Sequence, residues 1–184
     1  MVRFRDISQF PQCYYRCDVS WTYLEHHIER QREHGSAALD LEPDFQRAHV
    51  WIPSQQIAYV EYVLRGGTSG KELYFNCPGW MNDFRGPYVI VDGKQRLEAV
   101  RAFLRGDIPA FGHYRGDYTD SPDILHVNFS WNIAAIDTRA EVLKWYLNFN
   151  SGGSVHTQAE LDRVRELLER EIEPPRRKCR STRR

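Results

Sequence analysis

Residues 88–100 read YVIVDGKQRLEAV, and this stretch decides the fold class. Tyr88-Val-Ile-Val91 is an apolar, β-branched run of strand length, the pattern of a strand buried on both faces. Asp92-Gly93 breaks it. Lys94 to Leu104 then sets Leu97, Ala99, Val100 and Phe103 as the apolar positions of a helix. Strand, glycine turn and helix in immediate succession form a unit of mixed α/β architecture.

Upstream, Ser20 is a candidate N-cap for a helix of about 14 residues with Trp21, Leu24 and Ile28 on one face, stopped by Gly35. Residues 1–18 show no sustained period and read as an irregular lead-in. The segment around Pro43 is extended or loop-like. Pro53 opens a second helix that buries Ile57, Val60, Val63 and Leu64 and ends at Gly66-Gly67. Leu73–Asn76 is a short strand candidate, followed by the loop CPGWMNDFRGP.

Downstream, residues 106–122 are rich in Gly, Asp and Tyr and read as an exposed excursion, and Leu125–Phe129 is a further strand candidate. Thr138-x-x-Glu141 and Thr157-x-x-Glu160 both have the capping-box pattern ahead of apolar helical stretches. The expected fold is therefore mixed α/β (α+β), with a small sheet and several packed helices. One domain spans 1–175, and 176–184 form a basic tail expected to be disordered.

The chain holds 25 Lys+Arg and 25 Asp+Glu, a formal charge of zero. All 25 acids and 19 of the bases lie in 1–175, which leaves the body at −6 and RRKCRSTRR (176–184) at +6. A body of that sign argues against broad coating of nucleic acid, while a local basic groove stays open. No apolar run reaches the roughly 18 residues of a membrane span, and the first twenty residues lack a secretory h-region. A cytoplasmic protein is expected. Cys13, Cys17, Cys77 and Cys179 do not form a zinc-site pattern and are expected as reduced thiols.

Three stretches can carry chemistry. The start of the 94–104 helix presents unpaired backbone N–H groups, a positive dipole end and two cations, Lys94 and Arg96, which suits a polyanion. Asp92, at the strand end, can hold Mg²⁺ or orient a water. The bland alternative is a helix start capped by Asp92, with Arg96 in a structural salt bridge. The phosphate-loop pattern GxxxxGK[ST] is absent. The second stretch is Pro43-Asp44-Phe45-Gln46-Arg47, with Val50-Trp51 just after. Arg47 offers a planar donor fork and Gln46 can place a water, whereas Phe45 and Trp51 read as core anchors. A structural pair of Arg47 with Asp44 or Glu61 is the competing reading. The third is Asn150-Ser-Gly-Gly153, whose glycines allow close backbone approach to a ligand but also suffice to join two helices. His156 beside it reads as a cap or surface residue.

The order FQR…VW, then (I/V)DG-x-QR-L, then N-x-GG resembles the N-terminal domain of the GmrSD-type restriction endonucleases, in the ParB/sulfiredoxin-like superfamily. The resemblance runs from about Leu41 to Leu168. It implies that the three elements line one nucleotide site: Gln46 and Arg47 from the first, Asp92, Gly93, Gln95 and Arg96 from the second, Asn150, Gly152 and Gly153 from the third. Larger members couple NTP hydrolysis to cleavage of modified DNA, and compact stand-alone members resemble phage and prophage proteins. Lys94 departs from the pattern, where Gln is expected, and adds a cation to the phosphate-binding set. No HNH-like His/Asn/His cluster follows Leu168, which weakens a nuclease reading.

The leading expectation is a Mg²⁺-dependent NTPase acting with DNA. In it Asp92, Gln95 and Gln46 are catalytic, and Arg47, Gly93, Lys94, Arg96 and the 150–153 loop hold phosphates. A protein partner would supply nuclease or target function. A nucleotide-gated, non-catalytic binding module and a phosphotransferase acting on a modified base or small hydroxyl compound are the alternatives.

Overall fold

The computed structural model describes residues 3, 11–33, 37–47, 51–150 and 158–172. Its centre is a mixed five-stranded sheet. The strands are β1 (Cys13–Ser20), β2 (Leu39–Asp40), β3 (Glu72–Asn76), β4 (Tyr88–Asp92) and β5 (Asn128–Ala134), in spatial order β1-β5-β3-β4-β2. β1 and β5 are antiparallel, β5 and β3 parallel, β3 and β4 antiparallel, and β4 and β2 parallel. Five helices accompany them: α1 (Leu24–Arg32), α2 (Pro53–Leu64), α3 (Lys94–Arg105), α4 (Arg139–Asn150) and α5 (Gln158–Ile172). The fold is mixed α/β, as the sequence pattern indicates.

The twofold alternation of strand side chains divides the core. Tyr88 and Ile90 of β4, Leu73 and Phe75 of β3, and Phe129, Trp131 and Ile133 of β5 share one apolar cluster with α1, α2 and α3. Val89 and Val91 share the other with Phe45, with Val142, Leu143, Trp145 and Tyr146 of α4, and with Val164 of α5. β4 therefore has helices on both faces, which is why it reads as an unbroken apolar run. In the first cluster the rings of Phe75 and Trp131 stack at 3.9 Å, and the indole N–H of Trp131 donates to the Tyr88 hydroxyl at 2.6 Å.

Two expectations fail at the far edge of the sheet. β1 begins inside the lead-in and pairs with β5 from Cys13 to Ser20, with a register shift between Cys13 and Tyr15. Its alternation is weak because, among its residues with described burial, only Val19 is buried and Tyr15 stays exposed, so the strand depends on its partner rather than on its own pattern. The last strand covers 128–134 rather than 125–129, and residues 122–125 form a 3-10 turn. Ser130 and Asn132 interrupt the apolar pattern of β5, yet both are buried and bonded. Ser130 donates to Asp18 at 2.7 Å, and the Asn132 amide donates to the carbonyls of Leu73 and Ser130.

Smaller shifts occur at helix ends. A 3-10 turn over 21–23 precedes α1, and the Ser20 hydroxyl bonds Thr22 rather than the helix backbone. At the start of α4 the Thr138 hydroxyl accepts the Glu141 N–H at 3.3 Å, one half of the expected capping box, and itself donates to the Glu141 carboxylate at 2.8 Å. Gly35, Thr157 and the 176–184 tail lie outside the described residues. None of the described helices is long and apolar enough to cross a membrane. Cys13, Cys17 and Cys77 are free thiols.

Candidate functional site

The turn from β4 into α3 is dictated by Gly93, which adopts φ +101°; a Cβ there would lie 2.4 Å from the Leu73 Cδ2 atom. Only glycine satisfies both the left-handed backbone and this close approach. Gly93 is also the N-cap of α3, so no side chain caps the first turn, and that turn contains no acid. Helix starts ordinarily favour Ser, Thr, Asp or Asn at the cap and acids just after it. Here the positive end of the helix carries Lys94 and Arg96 instead. The Asp92 cap considered from sequence does not form, because its carboxylate turns to Arg96.

Arg96 Nη2 lies 2.6 Å from Asp92 Oδ2 and donates to the Glu72 carbonyl at 2.9 Å. Its Nε is buried and has no hydrogen-bond partner among the described residues. A guanidinium N–H removed from water without an acceptor is costly. Lys94 points inward and is only 4 % exposed; its ammonium pairs with Glu42 and donates to the Arg47 carbonyl at 3.1 Å. Gln95 is buried too, and its side-chain oxygen accepts the Trp51 N–H at 3.2 Å.

Residues 43–47 and Trp51 meet this turn from the other side. β2 pairs with only the first two residues of β4, and beyond it the Gln46 amide donates to the carbonyls of Val91 at 2.8 Å and Ile90 at 3.2 Å. A side chain thus continues the edge where the backbone strand stops. Phe45 is buried edge-to-face on Tyr146 and Trp51 packs on Tyr59, the anchoring roles expected of both. Arg47, with its side chain 11 % exposed, lies 4.0 Å from Glu160 in the first turn of α5. Neither partner expected from sequence takes it. Asp44 pairs with Arg139, and Glu61 accepts the Phe111 N–H.

The first two motifs are therefore bonded together around the start of α3. Of the third, Asn150 is the last residue of α4, and Gly152, Gly153 and His156 lie outside the described residues. Glu160, eight residues after Gly152, brings the start of α5 to Arg47. Tyr146 of α4 joins the same group. Burial pushes its phenol up to about 12, with Arg47 opposing and Glu160 and Asp92 adding to the shift.

Sequence reasoning missed Glu42, Glu160 and Tyr146. Glu160 entered only through its capping-box spacing, a role at its own helix start, and Glu42 and Tyr146 stand where an acid or an aromatic residue has an ordinary surface or core use, so spacing does not mark any of the three as a partner of the site. Glu98 faces away, toward Arg101, which also pairs with Glu25.

Each cation of the site thus faces a carboxylate: Lys94–Glu42, Arg96–Asp92 and Arg47–Glu160. The donors do not amount to a metal cage. Among the described residues no group of three or more His, Cys, Asp or Glu could hold an ion, and Asp92 is engaged by Arg96. A cavity of about 620 Å³ is lined by Asp40, Glu42, Phe45, Asn76, Asp137 and Arg139 among others.

Comparisons of the chain with protein-family models, with curated proteins and with solved structures find no match.

Proposed function

We propose that this chain binds a nucleoside triphosphate where residues 46–47 meet residues 92–96, with the 150–153 motif assigned to the same site by resemblance, and hydrolyses it in a Mg²⁺-dependent reaction linked to DNA. The observation that carries the reading is the start of α3: a helix N-terminus with no side-chain cap and with Arg96 beside it, whose buried Nε has no acceptor among the described residues. Phosphate oxygens supply acceptors of the required charge and number.

Binding and chemistry are linked through one exchange. A phosphate that takes the Arg96 guanidinium releases Asp92, and the freed carboxylate can orient a water or accept its proton. Gln46 and Gln95 hold backbone groups of β4 and Trp51 in this structure. Their role in the proposal is to keep the 43–51 loop against the turn. Lys94 likewise fastens that loop through Arg47. Mg²⁺ bound to the nucleotide would need only one or two carboxylates besides the phosphates, and Asp92, once released from Arg96, would be one of them.

A second reading, a nucleotide-gated binding module without turnover, is favoured by the three carboxylates already paired with the cations. Nucleotide would then exchange ion pairs and shift the 43–51 loop, with DNA or a protein as the partner that reads the change. Thermal shifts with ATP, GTP, CTP and UTP, with and without Mg²⁺, together with release of radiolabelled γ-phosphate, separate the two. Hydrolysis predicts stabilisation and phosphate release, both lost in Arg96→Ala. Stabilisation without release assigns the gated module. No stabilisation by any of the four rejects the nucleotide site. Mass spectrometry of candidate acceptors distinguishes transfer from hydrolysis, because only transfer leaves a phosphorylated product.

A further inference from the structure

A smaller cavity, of about 250 Å³, is walled by Pro11, Cys13, Tyr74, Trp145, Asn148 and Phe149. No wall residue brings a charge: burial, with Glu72 adding to it, raises the Cys13 pKa and keeps the thiol protonated. The three rings touch one another, with centroids 4.7 Å apart for Tyr74 and Phe149, 5.3 Å for Trp145 and Phe149, and 6.1 Å for Tyr74 and Trp145. Rings so close leave no space among them for the compact cation that an aromatic cage encloses. Trp145 is buried, and Tyr74 and Phe149 are half-buried, so the last two supply accessible faces on which another flat ring can stack.

Tyr74 joins this cavity to the start of α3. It is the register partner of Asp92 between β3 and β4. Its hydroxyl donates to the Glu72 carboxylate at 2.6 Å, and the Glu72 carbonyl accepts Arg96 Nη2 at 2.9 Å. One cross-strand pair therefore separates a wall of the cavity from the carboxylate that holds Arg96. Asn148 and Phe149 come directly before Asn150, the last residue of α4 and the first of the third motif. A nucleotide whose phosphates take the Arg96 guanidinium still has its base to place, and the space beside it is uncharged and aromatic.

We infer that this cavity receives the base of the nucleotide, stacked on Tyr74 and Phe149, with the exposed Asn148 amide bonding the base edge; the inference rests on the nucleotide reading above. Stacking on an aromatic side chain is tolerant of base identity, because every base has a π-face. The Asn148 amide carries both a donor and an acceptor, the groups that distinguish one base edge from another. Affinity thus comes from the rings and preference from Asn148.

Titration calorimetry on the full chain tests this by comparing ATP, GTP, CTP and UTP with inorganic tripolyphosphate, which has the phosphates and no base. At least one NTP is expected to bind about tenfold or more tighter than tripolyphosphate, the order of one stacked base. Phe149→Leu keeps apolar bulk and removes the ring. It should bring that NTP down to the affinity of tripolyphosphate and leave tripolyphosphate where it was, and Phe149→Tyr should keep the wild-type difference. Asn148→Ala, at an exposed position, should melt as the wild type does and bring the affinities of the four NTPs closer together. Equal binding of all four NTPs and tripolyphosphate by the wild type overturns the base cavity and leaves the phosphate site standing. An NTP affinity unchanged in Phe149→Leu does the same, and so does a loss that tripolyphosphate shares, since the ring then serves the fold and not the base. An unchanged spread of affinities in Asn148→Ala removes that residue from base recognition. Binding of neither the NTPs nor tripolyphosphate rejects the nucleotide reading itself, and this inference with it.

Discussion

The Arg96 guanidinium and the Asp92 carboxylate meet at 2.6 Å across the first turn of α3, while the Nε of the same arginine is buried without an acceptor among the described residues. One cation is thus both paired and incompletely satisfied, which is the condition under which a stronger acceptor displaces the first. In Asp92→Asn the competing charge is gone. Nucleotide affinity is expected to rise about tenfold, the order of one charge-assisted hydrogen bond, while phosphate release stops. Arg96→Ala should lose binding itself. Titration calorimetry with each NTP and a phosphate-release assay read both effects, and wild-type turnover in Asp92→Asn would remove Asp92 from the chemistry.

Two glycines with positive φ separate backbone strain from steric conflict. Gly66 has φ +87° and open space around a Cβ, whereas Gly93 has φ +101° and Leu73 at 2.4 Å. Gly66→Ala should cost about 1 kcal/mol, the left-handed penalty alone. Gly93→Ala should cost about 3 kcal/mol or more, because Leu73 is itself fully buried and cannot move freely. Urea denaturation of the two variants measures the difference, and equal midpoints would mean that Leu73 yields.

The Lys94–Glu42 pair is asymmetric: the ammonium is 4 % exposed and the carboxylate 71 %. Removing the acid leaves a buried cation with the Arg47 carbonyl as its remaining acceptor in this group. Glu42→Ala is therefore expected to destabilise the fold by about 1–3 kcal/mol, although the change is made at the surface. Adding Lys94→Met should recover part of that loss, since Met fills similar space without a charge. Failure of the double variant to exceed Glu42→Ala in denaturant midpoint would show that Lys94 is not a buried charge in need of a partner.

His27 of α1 packs edge-to-face on Trp131 at 4.7 Å, and its Nε2 is buried without a partner among the described residues. Burial holds its pKa below the ordinary value, with Arg30 and His26 adding to the effect. The unfolded chain then binds the proton more readily than the folded one. Stability is full above about pH 6.5, the unfolded value, and is lost as pH falls through the folded pKa. His27→Gln should flatten the slope of stability against pH between about 5 and 6.5, measured by denaturant midpoints at closely spaced pH values. An unchanged slope would assign the proton uptake to other groups.

Legibility from sequence followed the range of the interaction. β4, the Gly93 turn and α3 were readable from a few consecutive residues, because burial on both faces, a left-handed turn and a 3.6-residue period are all local. Phe45 and Trp51 were readable as anchors for the same reason, as large apolar groups in a polar loop. β1 was not, since its strand form comes from pairing with β5, with partners such as Cys17 and Trp131 more than a hundred residues apart. β5 was misplaced because Ser130 and Asn132 look like loop residues until Asp18 and Leu73 supply their partners.

The same division runs through the candidate site. By itself, the chain's order of residues determined that a strand ends at Asp92, that glycine must follow, and that two cations begin the next helix. Only the tertiary structure decided what those cations face. Lys94 turns inward to Glu42, Arg96 turns back to Asp92, and Arg47 reaches Glu160, leaving a site whose positive charge is already matched. The reason is physical: the direction of a side chain at a helix start is set by neighbours brought from elsewhere in the chain, and no local spacing records them.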